Sequence, residues 1–97
     1  MIYAIDVTKE GELLTGRVNG YKFAKGSIKR VGLPTSIKIL YKYSQMVTSS
    51  FFYGILIWLE EVFESEGFGV YSLRRIISLV NVDDLITKEF NRALDRL

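Results

Sequence analysis

Phe51-Phe52-Tyr53-Gly54-Ile55-Leu56-Ile57-Trp58-Leu59 is a run of nine residues without a charge. Thr48, Ser49 and Ser50 run straight into it, and Glu60-Glu61 end it. A membrane-spanning helix needs roughly 20 predominantly apolar residues. The run is about half that length, so no membrane span is expected from it. A helix that is apolar on every side is buried on every side. The stretch therefore predicts a central helix from about Phe51 to Ser65, lying between a sheet and either another helix or a second chain. Ser49 or Ser50 is the expected N-cap, and Gly67 the natural stop.

The rest of the chain must supply that cover. Its 97 residues suit one domain, 1–97, and 48% hydrophobic composition is enough for a core without staples. The sequence holds no cysteine and no histidine. Disulfides, thiol chemistry, zinc sites and histidine-dependent triads are thereby excluded within one chain. Gly16-x-x-x-Gly20 lacks the Lys-Ser/Thr that completes a phosphate-binding loop. Glu60, Glu61 and Glu64, and the pair Asp83-Asp84, are accounted for by helix ends and wet faces. The expectation is a protein without enzymatic activity, cofactor or metal. Met1 to Asp6 has no basic start and an early acid, so no signal peptide is expected and the chain reads as cytoplasmic.

Ile2–Val7 reads as a strand and Thr8–Gly11 as a turn. Glu12–Leu14 either extends a hairpin or leads into a helix. Thr15–Lys29 has an imperfect helical period, with Thr15 as N-cap. Gly16, Gly20 and Gly26 weaken that helix by about 1 kcal/mol each relative to Ala, but would allow it to approach a sheet closely. Gly32 and Pro34 mark a break. Ser36–Tyr43 alternates, with Ile37, Ile39, Tyr41 and Tyr43 on one side and Lys38, Leu40 and Lys42 on the other. Ser44–Ser50 is expected to be a polar loop. Phe68–Ser72 reads as a short strand or lid, and Arg75–Val80 as a strand. A last helix is capped by Asn81, Asp83 or Asp84 and carries the stripe Ile86, Phe90, Ala93, Leu94 and Leu97. The order β-α-β-α-β-α predicts an α/β fold: a small, mainly parallel or mixed sheet of three to four strands with about three helices, mainly on one face.

Charge is uneven. Residues 1–50 carry a net +5 and residues 51–97 a net −3. Lys22, Lys25, Lys29 and Arg30 fall at roughly helical spacing. They are the candidate contacts for an alternative function, a small basic-faced nucleic-acid-binding or inhibitor protein from a mobile element.

Three ordered pieces are similar to STAS-like domains, relatives of the sulfate-transporter and anti-sigma-factor-antagonist domain. Gly16-Arg17-Val18-Asn19-Gly20-Tyr21-Lys22-Phe23 resembles the family's Arg-x-x-Gly helix. Ile37 to Tyr43 followed by Thr48-Ser49-Ser50-Phe51 resembles its strand, loop and helix start. Arg75 to Val82 resembles its strand ending in Asn before the final helix. Tyr41, Tyr43, Phe52 and Tyr53 stand where relatives tend to carry acids. The anti-sigma antagonists' Asp-Ser-Ser-Gly here lacks its Asp, and Phe51 replaces its Gly.

The resemblance implies a regulatory protein-interaction module that binds an ATPase or kinase-like partner through residues 44–54, with Ser50 at the phosphorylated position. Thr48, Ser49, Ser50, Tyr53 and Arg17 are the candidate partner-binding or regulatory residues. A homodimer is a further expectation, since the apolar helix is large for 97 residues to cover.

Overall fold

A computed structural model describes residues 2–27, 34–67, 70–81 and 83–97. Expectations placed on Ile28, Lys29, Arg30, Gly32, Phe68 and Val82 lie outside the described residues.

Three strands form the main sheet: β1 (Ile2–Asp6), β3 (Ser36–Leu40) and β5 (Ile77–Leu79). All run parallel, with β3 in the middle. The register sets Ile5 beside Ile39 and Ile39 beside Leu79. Period-two alternation then sorts the faces. Ile5, Ile37, Ile39 and Ile77 are buried, whereas Ala4 and Asp6 are exposed and Lys38 and Ser78 half-buried. The buried side takes the helices: α1 (Arg17–Ser27), α2 (Ser49–Ser65), α3 (Val70–Ile76) and α4 (Asp84–Asp95).

Two short strands, β2 (Leu13–Leu14) and β4 (Met46–Val47), pair in parallel beyond the main sheet. They continue the β1–β3 ladder after an interruption. Ile2 pairs with Ser36, 34 positions on, and Leu13 with Met46, 33 positions on, so the β1 side of the gap holds one more residue. Glu12–Leu14 is therefore neither a hairpin arm nor a lead into α1, and the expected 44–50 loop contains a strand.

α2 is the central helix and touches α1, α3 and α4. Phe51, Phe52, Ile55, Leu56, Leu59 and Phe63 are buried. Tyr53, Ile57 and Trp58 are only half-buried, so the cover is not complete on every side. Phe52 meets Phe90 of α4 edge-on at 5.2 Å, a favoured ring geometry. The α4 stripe behaves as its spacing predicts: Ile86, Phe90 and Ala93 are buried, and Leu94 and Leu97 pack at the margin.

The glycines of α1 do allow close approach, but to α2 rather than to a sheet. A Cβ on Gly20 would lie 2.0 Å from the Phe51 carbonyl oxygen, and one on Gly54 would lie 2.1 Å from that of Arg17. Gly20, Ala24 and Gly54 thus let the two helix backbones meet directly.

Several boundaries differ from the sequence expectation. α1 starts at Arg17 behind Gly16 at φ +88°, not at an N-cap on Thr15. The Thr15 carbonyl instead accepts from Asn19 Nδ2. The third strand begins at Ile77, because Arg75 and Ile76 complete α3. β3 ends at Leu40, and Tyr43 is 71% exposed rather than on the buried side. Gly67, at φ +86°, ends α2 as expected.

Candidate functional site

The start of α2 is built from three segments far apart in sequence. Thr48, not Ser49 or Ser50, is the N-cap: its extended backbone (φ −84°, ψ 160°) lets its side chain accept from the Phe51 amide at 3.4 Å. Its hydroxyl also donates to the Leu14 carbonyl of β2, at 3.3 Å. The helix start is thereby tied to the short sheet. Ser49 and Ser50 fall inside the first turn and are half-buried.

The Ser49 amide donates to Glu89 Oε1 of α4 at 3.3 Å, while Glu89 Oε2 accepts from Arg92 at 2.8 Å. A helix N-terminus favours an anion. Here a carboxylate of the same chain already takes that place. A phosphate on Ser50 would enter a turn whose first amide faces Glu89, and the two negative charges would oppose each other.

The loop before the helix is held by Gln45, only 5% exposed. Its Nε2 donates to the Val7 and Gly11 carbonyls, both at 2.7 Å, and its Oε1 accepts from the Lys42 amide at 2.8 Å. One side chain thus joins the two turns that interrupt the ladder. Both amide protons and an acceptor site are used, which is what a buried polar group requires. A polar cleft of about 240 Å³ lies between these turns, lined by Lys9, Glu12, Lys42 and Ser44 among others. Beside it, Asp6 Oδ1 accepts from the Thr8 hydroxyl at 2.6 Å and the Thr8 amide at 2.9 Å. These bonds, with smaller help from Lys9 and Lys42, hold its carboxyl below the usual carboxylate range.

Tyr41 continues inward from β3. Its hydroxyl donates to the Asn81 carbonyl at 3.5 Å, and Asn81 Nδ2 donates back to the Tyr41 carbonyl. Burial, then the nearby Asp83, pushes the Tyr41 phenol up.

Tyr53 is half-buried, with the Arg96 guanidinium 4.3 Å above its ring, within cation–π range. Arg17 does not join the helix-start cluster. It lines a groove of about 350 Å³ with Val18, Tyr21, Ile57 and Glu61, two turns downstream on α2. There the Tyr21 hydroxyl donates to Glu61 Oε2 at 2.6 Å, and that bond raises the Tyr21 phenol's pKa. Tyr21 also meets Trp58 edge-on at 6.0 Å. Lys22 and Lys25 are exposed on α1. Asp83 caps α4 by accepting from the Ile86 amide at 3.1 Å.

The loop before the helix start exposes Lys42 and Ser44, with Tyr43 between them. Tyr43 is the most exposed large apolar side chain among the described residues, and Leu13, paired with the half-buried Met46, is 68% exposed. Sequence reasoning missed Gln45 and Glu89. Their roles come from partners 34 or more positions away, and no local pattern marks either. A surface depression of about 420 Å³ lies by Pro34, Thr35 and Arg75, at the other end of β3. None of the candidate residues lines it. No described helix is long and apolar enough to cross a membrane.

No family model matches the chain, and no curated protein or solved structure shows significant similarity to it.

Proposed function

We propose that the chain is a non-enzymatic regulatory interaction module that binds a protein partner through residues 44–54 and the flanking Tyr43 and Leu13. The observation that carries this reading is Tyr43, an aromatic side chain 71% exposed at the edge of a braced loop. Aromatic side chains contribute large contact area at little entropic cost and are enriched at interfaces. Gln45 braces the loop at the neighbouring Lys42 amide, and Thr48 and Glu89 hold the helix start that follows; a preorganised surface loses less freedom on binding. An ATPase or kinase-like partner, and Ser50 as a regulated position, rest on the resemblance to STAS-like domains. The reading is tested by comparing proteins captured by the wild type and by a Leu13→Ser/Tyr43→Ser variant after nuclease treatment. A specific protein lost with the variant supports it, and capture indifferent to both substitutions refutes it.

A second reading is favoured by one observation. Arg17, Lys22 and Lys25 are all exposed on α1, and that helix carries no acid. Such a face suits nucleic-acid phosphates. Duplex binding that weakens with salt and with Lys22→Glu/Lys25→Glu would support it; no binding at low salt removes it.

A further inference from the structure

The strands of the main sheet bury side chains toward the helices. Their other side carries Ile2, Ala4 and Asp6 from β1, Ser36, Lys38 and Leu40 from β3, Ser78 from β5, and Val80 just beyond. Ile2 is 69% and Val80 49% exposed. All-parallel sheets occur almost only with both faces covered. This one has a face on which Ile2, Ala4, Asp6 and Val80 remain open.

Two charges lie on that face, and they are of opposite sign. The register places Lys38 beside Ala4 and Asp6 beside Leu40, so the two stand on a diagonal of neighbouring strands. Lys38 Nζ donates to Ser78 Oγ at 3.0 Å, and among the described residues it meets no carboxylate. Asp6 takes both of its hydrogen bonds, from Thr8, on Oδ1. Lys38 is a half-buried residue whose one hydrogen-bond partner is neutral, so its charge is open to pairing with an anion. Lys38 sits at the middle of the central strand and Asp6 at the end of its neighbour, so a two-fold axis passing between them sets each against the other in a second copy. Ala4, Ser36 and Ser78 are small enough to let another sheet approach.

We propose that this open sheet face is a homodimer interface, with Asp6 of each copy set against Lys38 of the other. The proposal is independent of the partner surface around Tyr43. Strands of five, five and three residues, at spacings of about 4.8 Å and rises of about 3.3 Å, give a face of roughly 200 Å². A standard interface uses about 800 Å² on each side. The dimer is therefore weak and concentration-dependent.

Sedimentation equilibrium of the full chain from about 1 μM to about 1 mM tests it. The wild type is expected to pass from monomer to dimer across that range. Asp6→Lys and Lys38→Asp each place like charges together and are expected to weaken the dimer at least ~10-fold, a loss of ~1.4 kcal/mol or more. The double exchange Asp6→Lys/Lys38→Asp restores opposite charges and is expected to recover most of the loss. Val80→Glu, beyond the strand, serves as a second disruptor should a β1 or β3 variant fold poorly by circular dichroism. A wild type monomeric throughout overturns the proposal. So does a dimer indifferent to Val80→Glu, or one that folded double-exchange chains fail to rebuild.

Discussion

Gly54→Ala replaces one hydrogen by a methyl at the point where α1 and α2 meet. The new Cβ would sit 2.1 Å from the Arg17 carbonyl oxygen and 2.6 Å from the Tyr21 amide nitrogen. Both are backbone atoms, so no side chain can swing aside. The helices must separate by about 1 Å, which loosens packing along their whole contact. Overpacking of this kind typically costs about 1–3 kcal/mol, and a clash with backbone belongs at or beyond the top of that range. Alanine's better helix propensity returns about 1 kcal/mol. A net loss of about 2 kcal/mol is expected, out of a total stability of about 5–15 kcal/mol. For a domain of this size that lowers Tm by about 8–16 °C. Thermal unfolding followed by circular dichroism measures it. Gly26→Ala is the control: it lies in α1 with nothing within 4 Å of an added Cβ. It gains propensity without a clash and should raise stability by about 0.5–1 kcal/mol. If Gly54→Ala melts at or above the wild-type temperature, the helices do not meet backbone to backbone.

Gln45→Ala removes partners from two carbonyls and one amide, and should lower stability by about 2–3 kcal/mol in urea unfolding. Thr48→Ala deletes the N-cap of α2 and should cost about 1 kcal/mol, with Thr48→Ser close to wild type; Ser49→Ala should matter less. Ser50→Asp adds charge to a turn that already holds Glu89. It should destabilise more in the wild type than in a Glu89→Gln background, as read from a double-mutant cycle. The Asp6 carboxyl is held below its ordinary pKa by Thr8, so its contribution is present above pH about 4 and is lost as pH falls through the lower folded-state value. Thr8→Val should therefore flatten the acid limb of the stability curve, measured by urea midpoints across pH.

The elements legible in the sequence are those whose signal is local. Ser36–Leu40 alternates cleanly, and its burial does too. The α4 stripe needs only a 3.6-residue period and an Asp cap. The fold class followed from the order of such elements. What escaped depends on distant partners. Two-residue strands such as Leu13–Leu14 and Met46–Val47 are too short to show a period. They exist because each supplies the other's hydrogen bonds. Arg75 and Ile76 looked like part of a β-branched run, yet they close a helix whose Leu73 is fully buried. Gly20 was readable as a site of close approach, but one sequence does not say what approaches, and nothing local marked Gly54 as the residue on α2 that meets α1. The helix-start hydroxyls divided unevenly. The cap moved to Thr48, whose hydroxyl also reaches β2, while Ser49 met Glu89 from α4.

Hydrogen–deuterium exchange on the captured complex tests the proposed partner surface without relying on any substitution. Slowed exchange is expected in amides 43–54 and at Leu13, with α1 amides 17–25 unchanged. Protection confined to 17–25, with 43–54 exchanging as in the free chain, would contradict it.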